Sequence, residues 1–183
     1  MSKVKKLSEL AQATIPTKLP EDWQKSVDEK WWSKANIRNL DFPDGPIGGP
    51  EAREKFIELH DRLLAIGGAE VCFPDYEEDM DKILKSSYLR NGQSKLMRGE
   101  PSHCHSNVCN LWEQNHGERD VRICTGYALS KDGMWRCHSW LLHCYDTGKQ
   151  RREQVVETTE KRVAYYGFEM SDEEAREFCA NNY

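Results

Sequence analysis

The apolar residues of this chain change period along its length. Between residues 50 and 66, Phe56, Leu59 and Leu63 recur at three and four residues with Leu64 beside them, and Glu and Lys fill the other positions. That is the pattern of a helix with one apolar face; Pro50 opens it and Gly67-Gly68 stops it. Val71-Cys72-Phe73 reads as a short strand, and an acidic second helix is predicted over 74–85, burying Met80, Ile83 and Leu84. Residues 86–101 are mostly polar, contain Gly92 and Gly99, and read as a long loop of the kind that borders sites. The helical period returns over 102–114, where Cys104, Val108, Leu111 and Trp112 share one face between Pro101 and Asn115-His116-Gly117.

From residue 121 the period is two. Ile123, Thr125, Tyr127 and Leu129 alternate with Cys124, Gly126 and Ala128. The turn Ser130-Lys131-Asp132-Gly133 leads to 134–145, with Trp135, Cys137, Ser139 and Leu141 on one face and Arg136, His138, Trp140 and Leu142 on the other. This is a hairpin signal. A third strand is predicted over 154–159, with Val155, Glu157 and Thr159 opposite Val156 and Thr158, and a fourth over 163–168. Ser171-Asp172-Glu173-Glu174 has the form of a capping box and opens a final helix to Cys179. The elements predict a single α+β domain over 51–183, helices followed by an antiparallel β-sheet. Residues 1–50 are cut into short pieces by Pro16, Pro20, Pro43, Pro46 and Pro50 yet carry Trp23, Trp31, Trp32, Ile37, Leu40 and Phe42. They read as an irregular N-terminal arm packed on the domain, with the turn-rich stretch 41–50 as a candidate substrate-side loop.

With 183 residues, 38% apolar and 31% charged, the chain fits one soluble domain. A net charge of -5 with scattered bases supplies no stripe to neutralise phosphates, which argues against nucleic acid as a partner. No run approaches the roughly 18 apolar residues of a membrane span, and the stretch after Met1–Lys6 is too short for a signal-peptide apolar region. A cytoplasmic protein is predicted. The seven cysteines are odd in number and accompany no export signal, so they are expected as thiols rather than a disulfide framework.

One order of residues carries chemistry. Cys104 stands about two residues into its predicted helix, where the dipole and free amides stabilise a thiolate; Cys109, in mid-helix, gains no such help. His138, fixed in mid-strand, is a candidate general acid and base, and Glu157, one strand later, can hold its tautomer. Cys72, Cys109, Cys124, Cys137, Cys144 and Cys179 read as core, and His60 as a partly exposed surface residue. Two other readings stand beside this one. His103, His105 and Cys109 offer zinc ligands, His105 and Cys109 at i and i+4 of one helix face. Alternatively, exposed Trp residues and acidic helices would make a non-catalytic protein-interaction module.

Cysteine at a helix start, then histidine on a strand, then an acid on the next strand resembles the papain-like superfamily of thiol enzymes. That superfamily includes peptidases, bacterial cell-wall amidases, glutamine deamidases and transglutaminase-like proteins. The resemblance covers about residues 99–159 and is one of order and local pattern. It implies a papain-like core and acyl transfer through a Cys104 thioester, with His138 as general acid/base. It implies no cofactor, and a protein, peptide or small amide as substrate. It also implies an oxyanion site that uses a glutamine ahead of the cysteine, for which Gln93 is the nearby candidate, with the Cys104 amide as a second donor. Asn107 would position Gln93 or the substrate, and His103, His105 and Trp140 would wall the site.

Overall fold

The structure, a computed structural model, describes residues 16–18, 21, 50–73 and 77–182. Apart from 16–18 and 21, the arm up to residue 49, with its loop at 41–49, lies outside the described residues, as does the start of the second predicted helix at 74–76. Helix α1 (Pro50–Ile66) buries Phe56, Leu59 and Leu63, as its periodicity requires. Strand β1 (Glu70–Cys72) follows. Helix α2 (Met80–Ser86) starts behind Asp79 and is shorter than predicted, burying Met80 and Ile83. Helix α3 (Cys104–Asn115) buries Asn107, Val108, Cys109 and Trp112. Strands β4 (Asp120–Leu129), β5 (Met134–Asp146), β6 (Arg151–Glu157) and β7 (Ala164–Glu169) come next. Helix α4 (Asp172–Asn181) closes the chain with a complete capping box between Ser171 and Glu174. No described helix is long and apolar enough to cross a membrane.

The expected loop at 86–101 is not all loop. It contains β2 (Tyr88–Asn91) and β3 (Ser94–Leu96). Both are too short to show a period, and their stability comes from distant partners: β2 pairs antiparallel with β7, and β3 pairs parallel with β6. The sheet order is β2-β7-β4-β5-β6-β3, with β1 added parallel to β5. It is therefore a curled, mostly antiparallel sheet with two parallel pairs, and not wholly antiparallel.

Apolar groups cover both faces of its centre. The larger cluster joins the helices to one face, through Leu63, Ile83, Val108, Trp112, Tyr127 and Trp135. The alternate residues Cys124, Ala128, Trp140, Leu142, Val155 and Tyr165 belong to a second cluster, as the side-to-side alternation of strands demands. Strand β5 is the organising element. One of its edges pairs with β4 from Trp135 to Cys144. The other pairs with β1 only up to Arg136 and with β6 only from Leu141 onward. Among the described residues, 137–140 thus have no ladder partner on that edge, and His138 lies in the gap.

Candidate active site

Cys104 is the first residue of α3, and the chain reaches it through a strained turn. Ser102 has φ 63°, a left-handed conformation that a non-glycine residue adopts only when its surroundings impose it. His103 is the N-cap and makes no side-chain cap bond; its Nδ1 instead donates to the Pro101 carbonyl at 2.8 Å. The His103 side chain thus leaves the first turn uncapped, and the helix dipole there favours an anion such as the Cys104 thiolate, which the His105 main chain also helps to hold.

Asn107 locks this turn in place. Its Oδ1 accepts from the Glu100 amide at 3.0 Å and its Nδ2 donates to the Glu100 carbonyl at 2.8 Å, so one side chain satisfies both main-chain groups of the residue opposite. The fit requires Gly99, where a Cβ would lie 2.3 Å from Asn107 Oδ1.

A chain of hydrogen bonds then ties α3 to the sheet. His105 Nδ1 lies 2.8 Å from Ser139 Oγ, which donates to Thr125 Oγ1 at 3.1 Å. Burial, with the nearby charge of His138, lowers the His105 pKa, so the ring is the neutral donor of this chain.

His138 and Glu157 are buried, and His138 Nε2 lies 2.9 Å from Glu157 Oε2. The carboxylate is fully satisfied: Oε1 accepts from the amides of Thr158 and Thr159 at 2.8 Å each and from Thr159 Oγ1 at 3.0 Å. Oε2 also accepts from Tyr165 Oη at 3.0 Å. Burial opposes its charge, but His138 and then Thr159 overturn that and hold the carboxyl at about 2. With Nε2 committed to Glu157, Nδ1 is the nitrogen left for Cys104. Burial also opposes ionisation of Cys104, yet the hydrogen bond and charge of His138, with main-chain hydrogen bonds from Ser139 and His105, bring the thiol below its ordinary pKa. Burial opposes the His138 charge in turn, and bonds to Cys104 and Glu157 raise its pKa nonetheless. Both directions favour a thiolate beside an imidazolium. The other cysteines whose pKa departs clearly from its usual value are pushed upward, chiefly by burial; Cys124 reaches about 12.

Cys104 and His138 open into a cleft of about 480 Å³ whose rim includes Ser102, Arg98, Arg136 and Arg162. On its far side Cys137 also borders a second, acidic cleft of about 360 Å³ that holds Glu77, Glu174 and His105.

Cys104, His138 and Glu157 are brought together; the accessory residues are not all at the site. Gln93 lies exposed between β2 and β3, its amide bonded to Asn91 Oδ1 at 3.1 Å, and is not part of the cleft wall. Trp140 is fully enclosed in the second core cluster, 6.4 Å from the His138 ring; it shares a face with His138, but Cys124, Leu142, Val155 and Tyr165 are in its cluster. His103 is exposed, and His105 faces the acidic cleft rather than the thiol's. Asn107 holds the loop and does not reach toward Gln93. The zinc set is dispersed, since Cys109 is buried in the core, and no described group of three or more His, Cys, Asp or Glu residues is arranged to hold a metal ion. Sequence reasoning missed Tyr165 and Thr159 as holders of Glu157; Thr159, two residues on, is a local side-chain-to-backbone turn, whereas Tyr165 arrives from another strand. It also missed the buried pair of His60 Nε2 and Glu70 Oε1 at 2.8 Å, which corrects the surface reading of His60. Comparison with protein-family models, curated proteins and solved structures gave no match.

Proposed function

We propose that this chain is a thiol enzyme that transfers acyl groups from a carboxamide or ester through a Cys104 thioester, on a papain-like core. The observation that carries the reading is the single imidazole of His138, which meets a buried carboxylate at Nε2 and a thiol of lowered pKa on its other side.

Cys104 Sγ attacks the carbonyl carbon as thiolate, and the carbon–oxygen π electrons move to oxygen. The resulting oxyanion lies at the amino end of α3, within reach of the Cys104 amide. His138 gives its proton to the leaving amine or alkoxide, the bond to that group breaks, and the thioester remains. A water or amine then attacks, giving its proton to His138 and expelling the thiolate. Glu157 touches none of the reacting atoms; it keeps the imidazole oriented and stabilises its charge, as an acid does in other triads. Hydrolysis, deamidation and transamidation share the first half of this cycle and differ in the second nucleophile.

The test is alkylation by iodoacetamide near pH 6 with peptide mapping. Cys104 reacts well before the other six cysteines, and His138→Ala slows it by an order of magnitude or more, as loss of the paired base requires. Equal labelling of all seven would sink the proposal.

A further inference from the structure

The cleft that exposes Cys104 is basic in a chain whose net charge is -5. Three guanidinium groups border it. Arg136 is gripped by Asp132, with Nη1 to Oδ1 at 3.0 Å and Nη2 to Oδ2 at 2.7 Å. Arg162 pairs with Glu160 at 2.8 Å and donates to Ser130 Oγ and, at 3.2 Å, to Thr159 Oγ1. Its Nε, however, is buried without a hydrogen-bond partner among the described residues, and the side chain is only 10% exposed. Such an orphaned donor is costly unless something else accepts from it.

Arg98 differs from both: among the described residues its guanidinium has neither ion pair nor hydrogen bond. Its backbone is nevertheless fixed, because Met97 N donates to Glu157 O and Gly99 N to Thr158 O, each at 2.8 Å. Arg98 therefore stands on a continuation of the β3–β6 pairing, opposite the main chain of Glu157 and Thr158 and next to the glycine that Asn107 clasps. Its side chain lines the same cleft as the nucleophile without being used by the fold.

We infer that the substrate of Cys104 is an acyl compound bearing a carboxylate, received by Arg98 with the Arg162 Nε–H as a second donor. This rests on the thiol-enzyme reading and adds the substrate's charge to it. A planar guanidinium fork matches a carboxylate. The charge balance selects a monoanion: two of the three cations already face a carboxylate, so one remains uncompensated. Low-dielectric walls around a cleft of one sign also concentrate such a ligand.

Paired alkylating agents that differ only in charge test this. Iodoacetate is compared with iodoacetamide, and 3-maleimidopropionic acid with N-ethylmaleimide, the second pair placing the anion farther from sulfur. Rates at Cys104 are read by peptide mapping in the folded protein and in the urea-unfolded chain. Folding is expected to raise the anionic-to-neutral rate ratio about fivefold in at least one pair, the worth of one accessible ion pair. Arg98→Gln removes the gain, and added salt erodes it. Arg152→Gln, which deletes a charge at the far end of β6, keeps it. A ratio equal to that of the unfolded chain in both pairs, or one that survives Arg98→Gln, overturns the inference while leaving the thiol chemistry standing. Failure of the neutral reagents to prefer Cys104 takes down both.

Discussion

Replacing Glu157 by Gln isolates the charge of the triad from its shape. The amide oxygen can still accept from the Thr158 and Thr159 amides and from Thr159 Oγ1, the bonds now made by Oε1. The amide nitrogen must then face His138 Nε2, where two donors would meet; relief requires Nε2 to become an acceptor and the ring to be neutral. The carboxyl of Glu157 stands at about 2 against an ordinary 4.5, a difference worth about 3 kcal/mol at neutral pH. The folded pKa is the lower one, so this stabilisation is present above about 4.5 and is lost as pH falls toward 2. The wild type should therefore exceed Glu157→Gln by about 3 kcal/mol at pH 7 in urea denaturation, and the two should converge in acid. In parallel, the His138 imidazolium is lost and the thiol pKa rises, so alkylation of Cys104 at pH 6 slows about tenfold for each unit of rise. A variant that keeps both the wild-type stability at pH 7 and the wild-type rate–pH profile would refute the reasoning, since neither the buried charge nor its partner would then matter.

Three further outcomes follow from the geometry. Asn107→Ala removes both bonds to Glu100 and should cost about 2 kcal/mol while slowing Cys104 alkylation, because the turn before α3 is released; denaturation and labelling on one sample check it. Gly126→Ala should destabilise by about 3 kcal/mol, since Gly126 has φ 149° and a Cβ would meet Tyr166 O at 2.4 Å and Gly167 Cα at 2.6 Å; an unchanged urea midpoint would contradict the packing described. Burial, against a hydrogen bond from Tyr127, pushes Glu77 up to about 7. Its folded pKa is the higher one, so stability is lost as pH rises from about 4.5 through 7, and Glu77→Gln should lose less stability than the wild type between pH 5 and 8.

Local rules made part of this molecule legible. The three-and-four spacing of Phe56, Leu59 and Leu63 produced α1, alternation produced β4 and β5, and Ser171 with Glu174 produced the capping box. The order Cys104, His138, Glu157 was readable because a helix start and two successive strands fix where their side chains go. What escaped depends on pairing across the chain. The strands β2 and β3 carry too few residues for a period, and only β7 and β6 make them strands. Gln93 was proposed for its nearness in sequence to Cys104, but the β2–β3 turn carries it away. Trp140 and His138 share a face, and the sequence contains no mark of which one the second core would enclose. The pairing of His60 with Glu70 arises from α1 folding back on β1, which periodicity along α1 alone does not reveal.

The unladdered stretch of β5 has a consequence for solubility. Four residues of open strand edge invite pairing with another chain, the usual route to edge-to-edge aggregation. Here α3, the helix that begins with the thiol, packs against β5 and is tied to it by His105 Nδ1, 2.8 Å from Ser139 Oγ. The residues that assemble the nucleophile thus also protect the sheet. Substitutions that detach the start of α3 are expected to show first as loss of solubility on expression, before any assay of chemistry is reached.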